Sequence, residues 1–88
     1  MKIINEVPAK IIIGLYYSQR KSLEGLSSSR ISRKIESTYS GVVKAIKELS
    51  RKGLIIIKEK NKREKKIILT DLGSELARYL IKIQEIMK

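Results

Sequence analysis

The chain has 88 residues, which is enough for one domain with one modest hydrophobic core. It contains no Cys and no His, so disulfides are excluded and the usual zinc and copper ligands are missing. Twenty Lys and Arg residues against nine Asp and Glu residues give a formal charge of +11, which favours a polyanionic partner.

Other function classes are disfavoured by what the sequence lacks. The carboxylates are scattered among Lys and Arg, and no Gly-rich phosphate loop is present, so we expect no catalysis, no cofactor and no metal. No apolar run is long enough to cross a membrane, and no secretory signal is visible at the N-terminus. We therefore expect a cytoplasmic, nucleoid-associated protein without a membrane partner.

The first predicted helix runs from about Pro8 to Ser18 or Arg20. Pro8 fits its first turn, because proline pre-sets the backbone angle and lacks only a donor that would be unpaired there. Its apolar residues form a stripe wide enough to be well covered by the rest of the protein.

A loop and a short second helix follow. Residues 21–29 include a glycine and three consecutive serines, which is typical of a loop ending in a helix N-cap at Ser27 or Ser28, with Leu26 as a short strand before it. The second helix is predicted from about Ser28 to Glu36.

The third predicted helix begins after an N-cap at Thr38 and ends near Lys52, where Gly53 acts as a C-cap. On a helical wheel its two faces differ in character. One face is an apolar stripe, and the other presents a short polar residue and three cations, which suit a major groove because ammonium and guanidinium groups reach phosphates or guanine edges. The alternative is an ordinary solvated helix face. The outward residues are Ser40, Lys44, Lys47 and Arg51.

A hairpin is predicted next, because the β-branched runs 54–57 and 67–69 flank a charged stretch. A cationic finger of this kind suits phosphate or minor-groove contact, and the alternative is a hairpin tip that is polar merely for solubility. The expected DNA contacts of this wing are Lys60, Lys62, Arg63 and Lys65.

The last predicted helix is capped by Thr70 and runs over residues 71–88. Its apolar stripe is too extensive for a lone surface helix, so we expect it to pair two copies of the chain. The residues expected at this dimer interface are Leu76, Tyr79, Leu80, Ile83 and Met87.

The charge is distributed unevenly along the chain. Residues 28–53 carry seven basic and two acidic side chains (net +5), residues 54–70 carry six and two (net +4), and residues 71–88 carry three and three (net zero). A general bias toward Lys would not spare the last helix, so this asymmetry favours a binding function.

Three segments, which follow one another with the spacing of two helices and a turn into the wing, are Ile31-Ser32-Arg33-Lys34-Ile35, Thr38-Tyr39-Ser40-Gly41-Val42-Val43 and Leu49-Ser50-Arg51-Lys52-Gly53-Leu54-Ile55. They resemble the helix-turn-helix of MarR-type regulators, including the Lys-Gly-Leu junction between its recognition helix and wing. A further segment, residues 69–73, resembles the Leu-Thr-x-x-Gly that follows the wing in MarR, PadR and ArsR-like proteins. The sequence is more similar to the minimal winged-helix regulators of archaea and of their viruses and plasmids than to full-length MarR proteins.

The resemblance implies that the third helix lies in the major groove, that the wing touches the backbone or the minor groove, and that terminal helices pair the subunits. Gly41 departs from the pattern, because the family often has Ser or Thr there; Gly allows closer approach to DNA or simply weakens the helix. The expected DNA contacts are Ser28 and Arg30 of the second helix and Thr38, Tyr39, Ser40, Gly41, Lys44, Lys47 and Arg51 of the third.

The sequence thus predicts one domain over residues 1–88, of the α+β class and mostly helical: a winged helix-turn-helix with three helices, a two-stranded wing and a C-terminal dimerisation helix at 71–88. Its expected function is sequence-specific binding of double-stranded DNA by a homodimeric transcriptional regulator. One alternative is an architectural, chromatin or partition-type DNA-binding protein with low sequence specificity. Another is a winged-helix module whose basic face contacts an acidic protein.

Overall fold

The computed structural model describes residues 6–22, 24–59 and 65–87. The predicted fold class, a mostly helical α+β winged helix-turn-helix, is confirmed. In chain order the elements are α1 (Val7–Lys21), α2 (Ser28–Lys34), α3 (Tyr39–Arg51), β1 (Ile55–Glu59), β2 (Lys65–Leu69) and α4 (Asp71–Ile86).

Three helices begin at a hydroxyl side chain, because such a side chain satisfies a backbone N–H that would otherwise have no partner. The hydroxyl oxygens of Ser27, Thr38 and Thr70 each accept a hydrogen bond from the backbone N–H three residues later, at 3.4, 3.3 and 3.0 Å. α1 instead begins with Pro8 in its first turn. These helix starts agree with the sequence predictions.

One hydrophobic core lies among the four helices and the inner face of the hairpin. α1 contributes three of its most deeply buried residues, and α3 contributes its apolar stripe, so the two helices pack face to face. α4 packs along the other side of α1. The largest fully buried side chains are Ile11, Ile12, Leu15, Val42 and Ile67.

The hairpin is antiparallel and longer than its apolar runs, since its register extends from Ile55 opposite Leu69 to Glu59 opposite Lys65. Backbone pairing needs no apolar side chain, so the strands continue into the charged stretch. Leu26 adds the predicted short strand contact, because its N–H and C=O both bond to Ile67, at 3.1 and 2.8 Å.

The base of the wing is closed by a joint between two of the motifs found in the sequence. The Thr70 N–H donates to the Leu54 carbonyl at 3.1 Å, and the Thr70 hydroxyl donates to the Gly53 carbonyl at 2.7 Å. Gly73 is buried against the same segment, and a Cβ there would overlap the Leu54 carbonyl oxygen. The Lys-Gly-Leu junction and the Leu-Thr-x-x-Gly segment therefore form one structural unit that fixes the wing relative to α3.

A side chain of α1 also holds the wing. The Oε1 atom of Gln19 accepts a hydrogen bond from the Leu69 N–H at 2.6 Å, across 50 positions of sequence.

Of the helices in the described ranges, none is long and apolar enough to cross a membrane.

Candidate nucleic-acid interface

The outward face of α3 presents an exposed row formed by Ser40, Lys44, Lys47 and Arg51. With Tyr39, which is exposed at the start of the helix, these residues form what we call the recognition surface. The opposite face of the helix is buried in the core, so the helix is fixed in rotation and its outward side chains have a defined direction. Tyr39, at the first helical position, is 59% exposed.

The cations of the recognition surface have no carboxylate partner in the part of the chain that the structure describes. Lys44, Lys47 and Arg51 form no ion pair there, whereas the neighbouring Lys52 pairs with Glu48 at 3.2 Å. The sequence prediction of a basic face opposite a core face is thus matched by the burial of α3. Unpaired, solvent-exposed cations remain available for phosphates or base edges.

The N-terminal end of α3 is shaped by its cap. Thr38 is exposed and uses its hydroxyl oxygen to cap the Gly41 N–H. A Cβ at Gly41 would lie 3.0 Å from that oxygen, which is tighter than ordinary packing. Gly41 therefore leaves room for the cap, a role that sequence reasoning did not consider.

The turn between α2 and α3 fixes the angle of the recognition surface. The Ser37 N–H donates to the Ser32 carbonyl at 3.0 Å, and the Ser32 hydroxyl donates back to the Ser37 carbonyl. Glu36 takes a left-handed backbone conformation with φ of 54°.

The two α2 residues expected at DNA differ in placement, since Ser28 is half-buried and Arg30 is exposed.

The wing carries a like-charge contact. Lys58 lies directly opposite Lys66, an arrangement that destabilises a hairpin unless an anion lies nearby. Lys65, an expected DNA contact, is exposed and forms a cross-strand ion pair with Glu59 at 3.7 Å. The other expected wing contacts, Lys60, Lys62 and Arg63, lie outside the described residues, so their role stays a prediction.

The residues expected at the dimer interface divide into two groups. Leu80 is 7% exposed and belongs to the core of its own subunit, and Leu76 is half-buried against that core, because this side of α4 packs on α1. Tyr79 and Met87 are exposed, and Ile83 is half-buried. An interface on α4 would use these three residues together with Leu72 and Ile86, which are exposed and belong to the same apolar stripe.

No group of three or more carboxylates lies together as a set of metal ligands within residues 6–22, 24–59 and 65–87.

An apolar groove of about 350 Å³ lies between the start of α1, the end of α3 and α4. Ile12, Leu49 and Leu80 line it from the core side.

Several solved structures share this architecture. AF1382 from Archaeoglobus fulgidus matches with a TM-score of 0.82 at 26% identity, over 90% of this chain and 85% of that chain. MepR, a transcription regulator of the Staphylococcus aureus multidrug efflux pump MepA, matches with a TM-score of 0.79 at 27% identity, over 92% of this chain and 58% of that chain. MepR has also been solved as a complex with DNA, and that structure matches at 28% identity with a TM-score of 0.73.

The chain has the winged helix-turn-helix fold of MarR-family regulators. The resemblance stated from the sequence motifs is thereby confirmed. MarR-family regulators are not enzymes, in agreement with the expectation that this winged helix catalyses no reaction.

A protein of an archaeal virus has the same fold. F-93 of SSV1 matches over 92% of both chains, with a TM-score of 0.65 and 22% identity, and this likeness concerns the fold alone. A scan against models of protein families found no match, and a search of curated proteins found none either.

Proposed function

We propose that the chain is a sequence-specific regulator of transcription that binds double-stranded DNA as a homodimer. The observation that carries this proposal is the recognition surface, where a short polar residue and three exposed cations that form no ion pair within the described residues project from a helix whose opposite face is buried. The major groove admits an α-helix, and its guanine edges accept hydrogen bonds from Lys and Arg.

The similarity to MepR supports the same function. MepR carries this fold in a complex with DNA. Because this chain spans 58% of MepR, the proposal extends to DNA binding by the winged helix and leaves the rest of MepR aside. We place the protein in the cytoplasm, associated with the nucleoid.

Homodimerisation is supported by the exposed apolar side of α4. At 100° per residue, Leu72, Tyr79, Ile83 and Ile86 fall within about 60° of one another, so they form one stripe along the helix. Pairing two copies through this stripe would create a two-fold dimer, whose DNA site is a palindrome with half-sites about one helical turn apart.

Selection of bound sequences from random duplex DNA, followed by binding measurements on selected and scrambled duplexes, tests the proposal. Lys44→Ala should cost on the order of 1 to 3 kcal/mol on the selected site and much less on the scrambled one, because Lys44 belongs to the surface assigned to base edges. Lys82→Ala, which removes an exposed cation from α4, is the matched control and should leave both affinities nearly unchanged.

Two outcomes would replace the proposal with an alternative. Equal losses on selected and scrambled DNA would indicate an architectural protein with low sequence specificity. Failure to bind any duplex at low salt would indicate a winged-helix module that contacts an acidic protein.

A further inference from the structure

A second group of cations lies on α2, apart from the recognition surface. Arg30, Arg33 and Lys34 have the i, i+3, i+4 spacing that places side chains on neighbouring positions of a helix. Together with Leu26 they line an open depression of about 570 Å³. All three are exposed, and within the described part of the chain none of them forms an ion pair.

Packing contacts place this depression on a different side of the domain from the recognition surface. A Cβ at Gly14 would lie 3.8 Å from the Cδ and Cε atoms of Lys34, so the stem of Lys34 crosses α1 at that glycine. α1 packs against the buried face of α3. Leu26 is bonded to β2 through Ile67. The depression therefore borders α1, whereas the recognition surface lies on the face of α3 opposite its buried, α1-contacting side.

The charge continues onto α1. At 100° per residue, Lys10 and Lys21 lie within about 40° of Gly14 around the helix, and both are exposed. We define the second basic surface as Lys10, Lys21, Arg30, Arg33 and Lys34. The nearest acidic residues in sequence, Glu6, Glu24 and Glu36, form no ion pair with these cations in the described ranges.

We propose that the second basic surface binds the sugar-phosphate backbone of duplex DNA outside the segment that the recognition surface contacts. This inference rests on the proposed function. The neighbouring cations Arg30, Arg33 and Lys34 repel one another, and phosphates relieve that repulsion while matching the fork of donors that Arg presents. The contact reads no bases, so it adds affinity and salt dependence without adding sequence preference.

The test uses the double variant Arg33→Gln with Lys34→Gln on two duplexes. One duplex holds only the selected site, and the other extends it by about one helical turn on each side. Wild-type protein should bind the longer duplex more tightly. The double variant should lose that gain, and its salt slope on the longer duplex should become shallower by about two units per subunit, while its affinity for the short duplex changes less than about twofold.

Two further variants separate this site from general effects of charge. Arg78→Gln with Lys82→Gln removes the same charge from α4 and should keep the length-dependent gain. The swap Arg33→Lys with Lys34→Arg keeps the positive charge and should therefore also keep the length-dependent gain in affinity. A thermal melt of each variant checks that it folds.

A second arm identifies the source of the phosphates. Protein held on an immobilised short duplex is offered a labelled random duplex. Capture that the double variant abolishes assigns the surface to a second DNA molecule, whereas a gain confined to the longer duplex assigns it to flanking DNA; either result supports the proposal.

The inference is overturned if the double variant behaves like the α4 control in both arms. In that case, a remaining specificity loss in Lys44→Ala leaves the proposed function in place. Failure to bind any duplex would contradict both this inference and the proposed function.

Discussion

Glu36 is held in a conformation that an L-amino acid adopts at a cost. Its φ of 54° lies in the left-handed region, where contact between Cβ and the backbone costs about 1 to 2 kcal/mol. Glycine avoids that contact but loses more conformational freedom on folding. Glu36→Gly should therefore raise the free energy of unfolding by about 0.5 to 1 kcal/mol, measured by urea denaturation.

The same substitution in a regular helix should have the opposite sign. Glu75 is exposed inside α4, so Glu75→Gly should lower the free energy of unfolding by about 1 kcal/mol. A comparable loss at both positions would contradict the assignment of strain to Glu36.

Gly73 and Gly14 offer a second pair of opposite outcomes from one substitution. A Cβ at Gly73 would overlap the Leu54 carbonyl oxygen, so Gly73→Ala should force α4 away from the base of the wing and destabilise the fold by at least about 2 kcal/mol. A Cβ at Gly14 would meet only ordinary contacts at 3.8 Å. Gly14→Ala should therefore stabilise the fold by about 0.5 to 1 kcal/mol through helix propensity.

Chemical denaturation of both alanine variants in parallel measures this difference. Equal effects at the two glycines would mean that the joint between the wing and α4 yields easily.

At the scale of the elements, the features that could be predicted from the sequence are mostly those that depend on nearby residues. Thr38 and Thr70 cap helices where their hydroxyl groups and sequence position indicated, and the two faces of α3 follow from helical periodicity. These features depend on neighbours within one or two turns, which a single sequence displays.

Features that depend on distant partners were not predictable in this way. Nothing near Gln19 indicates that its amide oxygen accepts a hydrogen bond from Leu69, 50 positions away. Leu80 and Tyr79 are adjacent apolar residues on one helix, and only the position of α1 decides that the first is buried and the second exposed. The joint of Gly53 and Leu54 with Thr70 likewise required the fold, although both motifs were visible separately.

One cross-strand pair of the hairpin brings two positive charges together and so lowers the stability of the hairpin. Lys58 lies directly opposite Lys66, and like charges so placed destabilise a hairpin by a few tenths of a kcal/mol to about 1 kcal/mol. Lys58→Glu should convert this repulsion into attraction and raise the free energy of unfolding by about 0.5 kcal/mol. The same variant should bind DNA more weakly and with a shallower salt slope, because a cation of the wing has become an anion.

Thermal unfolding and binding isotherms at several salt concentrations test both halves of this prediction. Lys82→Glu makes the same charge reversal on α4 and should leave DNA affinity nearly unchanged. If Lys58→Glu stabilised the fold and bound DNA like wild type, the charge of the wing would be incidental to binding.

At the scale of the whole molecule, the charged and apolar surfaces lie on different elements. The cations are concentrated on the helices and strands that precede α4, whereas residues 71–88 carry no net charge. The exposed apolar stripe lies on α4, where Tyr79 is 60% exposed and Ile86 is 73% exposed. A dimer formed through α4 would therefore join two subunits without bringing their basic surfaces into contact with each other.

Substitution of that stripe should separate pairing from folding. Tyr79→Lys with Ile86→Lys places charge on exposed positions, so each subunit should fold while light scattering reports a monomer at tens of micromolar, a concentration at which we expect the wild-type chain to be a dimer. Leu80→Lys cannot serve this purpose, because Leu80 is buried in the core of its own subunit and the charge would unfold it.

The salt dependence of DNA binding then measures how many subunits act together. If each subunit neutralises four to five phosphates, the slope of log affinity against log salt should be about −7 to −9 for the dimer and about half of that for the double variant. The variant should also unfold at a temperature independent of protein concentration, as expected when folding is no longer linked to association. A wild-type protein that is monomeric, or a double variant that keeps the full slope, would show that α4 does not couple two DNA-binding subunits.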